Sequence, residues 1–312
     1  MTTAGLMLGA LALEALLGWP DALDRRIGHP VRWLGWLIGI ADRCGNRPDR
    51  SEHKRWIAGA VSTLLIVGIA ALVGILIDTL LPDNPLGWGI EIVIVASLVA
   101  GRSLYDHVAA VADALGDPDI DKARIAVGRI VGRETGRLDR SAIAAAAIES
   151  LAENTSDGVT APIISYLLFG LPGLLAYKAI NTLDSMIGHR TQTYAAFGNV
   201  AARLDDLANL LPARLTGLLF CLIPPDQKAF AILWRDAPGH RSPNAGWPEA
   251  AMAGMLGVRL GGPRCYGGQI APEPWLNEAG QPADRQTLVA ALALYRRLLL
   301  LIALLLLGWS LA

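Results

Sequence analysis

Between Ile57 and Ile77 the chain runs for 21 residues without a charge. As a helix, such a run is about 30 Å long, the thickness of a bilayer's hydrocarbon. The turn residues Pro82, Asp83, Asn84 and Pro85 follow, and then a second apolar segment over 86–104, with Glu91 inside it and Arg102 near its end. Ala4–Trp19 is apolar except for Glu14 and has no basic leader or clear small-residue cleavage site. It reads as a retained membrane segment, not a signal peptide. Leu298–Leu307 is apolar at every position and follows Arg296 and Arg297. The pattern therefore predicts membrane-embedded helices over 4–19, 57–81, 86–104 and 291–311.

The middle of the chain is apolar but interrupted. Val159–Ala179 contains Pro162, Gly170, Pro172 and Gly173, and Leu207–Ile223 contains Pro212 and Arg214. A re-entrant or partly buried arrangement suits these stretches, because irregular backbone at membrane depth needs protein or water around it. The 224–290 stretch is rich in Pro, Gly and Trp with little helical period, which predicts a cytoplasmic loop region. The expected fold is mainly α: a polytopic integral membrane protein of about four to six embedded helices, some broken or re-entrant, in a single domain over 1–312. Lys and Arg crowd 20–56 and 105–140 and are missing from 82–87. The positive-inside rule then places the first two connections in the cytoplasm and the last outside.

Composition supports this picture. Hydrophobic residues make up 53% of the 312 and charged residues 18%, against about 25% charged in soluble chains. Mean hydropathy is +0.40. A net charge of −1 offers no field for nucleic acid. The three cysteines, Cys44, Cys221 and Cys265, are far apart, which argues against a disulfide framework or a structural zinc site.

Against this apolar background, five polar clusters stand out. In "ESLAENTSDGVTAPI", Glu149 and Glu153 are four apart, and Asn154 and Asp157 extend the same surface. Carboxylates and an amide gathered on a helix suit Mg²⁺, which takes oxygen ligands and bridges to phosphate; a solvated, capped helix end fits the same pattern. In "YKAINTLDSMIGHR", Lys178, Asn181 and Asp184 recur every three residues. Lys178 there either snorkels or contacts a phosphate. In "ARLDDLANLLPARL", Asp205 and Asn209 lie one turn apart, with Asp206 adjacent and Arg203 and Arg214 flanking. That is either another Mg²⁺–phosphate pattern or an ordinary solvated face. The fourth cluster interleaves His240, Arg241, Ser242, Asn244 and Glu249 with glycines at 246, 254, 257, 261, 262, 267 and 268. Glycine-rich backbone can approach a phosphate closely, although no Walker pattern is present. The fifth, "GHPVRW", carries His29 and Arg32 just after the first apolar segment. No nucleophile elbow and no HExxH occur, so carboxylates and histidines are the acid–base candidates.

Taken together and in order, "HPVRWLG", "ESLAENTSDGVTAPI", "GLPGLLAYKAINTLDSMIGHR", "ARLDDLANLLPARL" and "HRSPNAGWPEAAMAGMLGVRLGGP" resemble the adenosylcobinamide-phosphate synthase (CobD/CbiB) family of cobalamin biosynthesis. The resemblance covers most of the chain from about residue 6. It departs where the family often has Gly-Asp-Pro; this chain has Gly18-Trp19-Pro20 and then Asp21.

The resemblance implies a multi-pass enzyme of the cell inner membrane with its site open to the cytoplasm. Such enzymes join adenosylcobyric acid to (R)-1-aminopropan-2-ol O-phosphate, or to free aminopropanol, through an amide bond, using ATP and Mg²⁺. On that basis Glu149, Glu153, Asp157, Asp184, Asp205 and Asp206 are candidates for metal coordination or base work. Lys178, Arg203, His240 and Arg241 are candidates for holding phosphates, and Asn154, Asn181, Asn209 and Asn244 for orienting them. His29, Arg32, Ser242 and Glu249 complete the candidate substrate-binding set. Three other readings compete: a transporter with broken helices, a Mg²⁺-dependent membrane transferase acting on prenyl diphosphates, and a non-catalytic member of a related group of signalling membrane proteins. The transporter reading lacks an inverted repeat, and the signalling reading predicts eroded acidic motifs, which are intact here.

Overall fold

The computed structural model describes residues 1–189, 191–266, 269–271 and 273–312. Its helices are α1 (Thr3–Leu17), α2 (Asp21–Ile27), α3 (Pro30–Gly45), α4 (Glu52–Leu80), α5 (Pro85–Ala96), α6 (Gly101–Ala114), α7 (Ile120–Val127) and α8 (Arg140–Thr155). A π-helical turn, Ser156–Thr160, joins α8 to α9 (Ala161–Ile187). After it come α10 (Asn199–Ala208), α11 (Leu210–Cys221), α12 (Gln227–Asp236), α13 (Gly246–Leu256) and α14 (Arg285–Leu311). Four short strands, β1 (Leu260–Gly261), β2 (Arg264–Tyr266), β3 (Gln269–Ala271) and β4 (Trp275–Leu276), lie between α13 and α14. β1 pairs antiparallel with β4, Leu260 opposite Leu276, and β2 pairs antiparallel with β3.

The chain is mainly helical, at 73%, and is a multi-pass membrane protein. Among the described residues, four helical stretches are long and apolar enough to span: Glu52–Leu80, Pro85–Ala114, Arg140–Ile187 and Arg285–Leu311. The expected N-terminal apolar helix is α1, 15 residues long and bent by 91° from Ala22–Gly45, a broken or re-entrant pair. The expected interruption of the middle is present. The π-turn and Gly170, at φ +63°, break the run 140–187, and Pro172 follows. Pro removes a backbone donor and Gly tolerates positive φ, so the two residues bend this run.

The chain divides into two compact units that interleave in sequence: 1–100, 161–209 and 305–312 form the first, and 101–160 and 210–304 the second. In the first unit, α9 packs along α4, and α3 and α10 close the same core around Ile38, Ile66, Leu183, Ile187 and Phe197. Close approach needs glycine: a Cβ on Gly59 would strike the Phe197 carbonyl, and one on Gly74 would lie 2.5 Å from Pro172 Cα. Glu91, in the apolar α5, accepts a hydrogen bond from the Tyr166 hydroxyl of α9 at 2.5 Å. A polar group at membrane depth is thus satisfied by protein.

In the second unit, α8 is built around "AIAAAAI" and buries Ile143, Ala144, Ala147, Ile148 and Leu151. Its neighbours there are α6, α7 and α13. The 224–290 stretch, expected as a loop region, contains two helices. Asp226 caps α12 by accepting from the Lys228 and Ala229 amides, and Ala229 and Leu233 face inward. The glycines of α13 are packing positions as well as turns: a Cβ on Gly254 would lie 2.8 Å from the Ala229 Cα. Pro248 sits in the first turn of α13, where no intrahelical donor is lost.

Candidate functional site

Two of the sequence clusters meet in the first unit. Asp205, on α10, is buried, with 8% of its surface exposed. Its Oδ2 accepts from Asn209 Nδ2 at 2.9 Å, and Asn209 Oδ1 in turn accepts from the Tyr177 hydroxyl of α9 at 2.8 Å. The Asn181 side chain faces the Asp205 carboxylate, and Asp184 and Asp206 lie close enough for their charges to act on it. Burial first, and then the Asp184 charge, pushes the Asp205 carboxyl up to about 7. Gly188, one turn after Asp184, must be glycine, since a Cβ there would collide with the Asp184 carboxylate.

The remaining candidates of this unit differ in exposure. Lys178 is buried at 7% exposure, and its charge reaches His29. His29 caps α3, accepting from the Val31 amide at 3.2 Å, and meets Trp19 edge-on at 5.0 Å. Arg32 pairs with Asp24 at 2.9 Å on the surface, and Arg203 is exposed. An exposed pair of this kind contributes little to stability.

In the second unit, Glu149 is buried at 6% exposure. Its Oε2 lies 3.1 Å from Arg133 Nη2, and its Oε1 accepts from the Gly261 amide at 2.7 Å. Four residues on, Glu153 is exposed, as is Asn154, whose Nδ2 donates back to the Ser150 carbonyl at 2.8 Å. Asp157 is half-buried in the π-turn. π-turns inside α-helices recur at functional positions.

The fourth cluster folds tightly against α13. His240 Nδ1 accepts from the Ser242 amide at 3.1 Å, and its Nε2 stands 3.7 Å from Glu249 Oε2. Ser242 Oγ accepts from the amides of Asn244 and Ala245 at 3.2 and 3.1 Å. Asn244 and Glu249 are buried, while Arg241 is exposed and pairs with Glu273 at 3.6 Å. A Cβ on Gly246 would lie 2.4 Å or so from His240, which explains a glycine there. Gly267 and Gly268, counted with this cluster in the sequence, lie outside the described residues. Among the described residues, no three His, Cys, Asp or Glu side chains converge into a metal cage.

Sequence reasoning missed two partners. Arg133 had counted only as a loop charge, and nothing in a spacing of 16 residues signals its pairing with Glu149. Tyr177 carries no role in the sequence pattern; its bond to Asn209 spans 32 residues.

A helical, multi-pass membrane protein with buried acid–amide networks on separate helices is the class that fold and site define. The family model described as CobD/CbiB protein matches residues 7–295. The cobalamin biosynthesis protein CobD of Rhodobacter capsulatus is 50% identical over 298 residues, covering 95% of this chain and 94% of the relative. Those of Brucella suis and a Sinorhizobium species are each 47% identical over 295 residues, covering 92% of this chain and 90% and 91% of the relatives. No solved structure matches. The chain belongs to the CobD/CbiB family of cobalamin biosynthesis.

Proposed function

We propose that this protein forms the amide bond between adenosylcobyric acid and (R)-1-aminopropan-2-ol O-phosphate, or free aminopropanol, at the expense of ATP with Mg²⁺. A carboxylate is a poor acyl donor, because its oxygen is a bad leaving group. Transfer of the γ-phosphoryl group of ATP to the corrinoid carboxylate gives an acyl phosphate and ADP. The amine nitrogen then attacks the acyl carbon, phosphate leaves, and the nitrogen loses a proton to a base. Fixed donors and a cation are needed to stabilise the transferring phosphoryl group.

The observation that carries this reading is the network of Asp205, Asn209 and Asn181, beside Asp184 and Asp206, in a chain of this family. Asp205 Oδ1 is buried and has no hydrogen-bond partner among the described residues, so the cluster fits a cation. Mg²⁺ commonly takes one or two carboxylates and fills its shell with water and substrate phosphates, so an incomplete protein cage is compatible with it. One or two of Asp184, Asp205 and Asp206 would hold it, and it would neutralise phosphate charge there. Lys178 and Arg203 in this unit, and His240 and Arg241 in the other, are proposed for phosphates. Asn154, Asn181, Asn209 and Asn244 orient them. In the second unit, Glu153 and Asp157 are the proposed base or ligands of a metal ion of their own. Glu149, through Arg133 and the Gly261 amide, is better suited to positioning. His29, Arg32, Ser242 and Glu249 complete the substrate contacts.

The charge asymmetry of the connections supports placement in the cell inner membrane, with the site facing the cytoplasm. Substituting Glu153 or Asp184 by Ala should abolish ATP-dependent amide formation while membrane insertion is retained. Full turnover in either variant contradicts that assignment.

A further inference from the structure

The second unit contains a cavity of about 910 Å³ that borders the Glu149–Arg133–Gly261 contact and to which no ligand has been assigned above. Pockets for small organic ligands occupy about 300–1,000 Å³. One face of α8 lines it with Ser141, Ala142 and Ala145, whose short side chains leave the space open. The first turn of α8 brings the positive end of a 16-residue helix to it. Three arginines, Arg133, Arg137 and Arg259, enter the wall from other segments.

Each arginine is available to a ligand in a different way. Arg133 is anchored by Glu149, but its buried Nε has no hydrogen-bond partner among the described residues. The Arg259 guanidinium lies over the Trp275 ring at 5.2 Å. That ring is seated on Gly262, where a Cβ would come within 2.5 Å of it. Trp275 therefore fixes Arg259 by stacking, without neutralising it. No carboxylate pairs with Arg137 or Arg259 among the described residues. Of the acids in the wall, Glu149 is held by Arg133 and Gly261, and Asp139 caps α8 through the Ala142 amide. Glu134 and Asp139 keep their charges in the wall, so the arginines would act on a ligand through placed N–H groups and not through an excess of positive charge.

We propose that this cavity binds an organic polyphosphate of nucleotide size. Planar guanidiniums and a helix N-terminus recognise phosphate oxygens by placed N–H groups. Three guanidiniums around so large a space suit a chain of phosphates with an attached organic group better than a single small anion. That this polyphosphate is the ATP of amide synthesis rests on the proposed function; the site itself rests on the cavity.

The test is photolabelling of the full-length, detergent-purified protein with 8-azido-ATP, followed by peptide mapping. The expected label falls within 133–145 or 259–283 and is suppressed by unlabelled ATP. It is roughly tenfold weaker in Arg137→Ala/Arg259→Ala, as expected for lost charge-assisted bonds, and intermediate in Arg137→Lys/Arg259→Lys, which keeps the charges and loses the planar forks. Thermal unfolding verifies that both variants are folded. Competed label elsewhere, no competed label, or undiminished label in the folded alanine variant overturns the proposal. Amide synthesis with the label elsewhere overturns the site and leaves the activity standing. Label here without amide synthesis supports the site and removes the activity.

Discussion

Arg133 Nη2 lies 3.1 Å from Glu149 Oε2, and the two side chains are only 14% and 8% exposed. Removing one partner of a buried pair leaves the other charge uncompensated, at a cost of about 3–5 kcal/mol. Arg133→Ala should therefore lower the thermal unfolding temperature in detergent markedly. The Arg133→Ala/Glu149→Ala double variant should lose less than the sum of the two single variants. Additive losses would show that the pair is not coupled.

Asp205 supplies a pH dependence with a definite sign. Its folded carboxyl titrates at about 7, above the ordinary 3.8. Between those values the folded protein holds a proton that the unfolded chain has released. Stability from this group is thus greatest below about pH 4, declines as pH rises to about 7 and is level above it. The full span corresponds to at most about 4 kcal/mol. The unfolding temperature of the wild type should fall from pH 5 to 8 relative to Asp205→Asn. A difference that is flat over this range contradicts the burial of Asp205. If this cluster holds Mg²⁺, stabilisation by the ion should appear mainly above pH 7, where the carboxylate is free of its proton.

Gly188 tests the placement of Asp184 without touching its charge. A Cβ at 188 would collide with the carboxylate. Gly188→Ala should shift Asp184 and reduce amide formation by roughly tenfold or more, because small misplacements of reacting groups are costly. The folded fraction should change far less. Normal activity would mean that Asp184 is free to move or is not needed.

Gly59 and Gly74 let α4 lie against its neighbours. Valine at either position overpacks that contact and should cost about 1–3 kcal/mol or more. Thermal unfolding measures this directly; an unchanged transition would contradict the close helix approach.

Much of this fold was legible because a bilayer imposes a simple rule. The uncharged run Ile57–Ile77 lies inside α4, and the Pro- and Gly-interrupted stretch after Val159 is where the run 140–187 breaks. The apolar run 4–19 is α1, although nothing in the run itself shows the bend that follows it. Helix α13 was missed because its glycines looked like turn residues, whereas Gly254 is where α12 approaches. In the site, helical spacing placed Asn209 one turn from Asp205, and the two do bond. The same spacing put Glu149 and Glu153 on one face, yet one is buried and the other exposed. Tertiary partners such as Arg133 and Tyr177 decide such differences, and no local pattern encodes them.

The most direct test is the reaction itself. The detergent-purified protein is given adenosylcobyric acid, (R)-1-aminopropan-2-ol O-phosphate, ATP and Mg²⁺, and the corrinoid is followed by mass spectrometry. The account predicts a gain equal to the amino alcohol phosphate less one water, dependent on ATP. A folded protein that leaves verified substrates unchanged would contradict it.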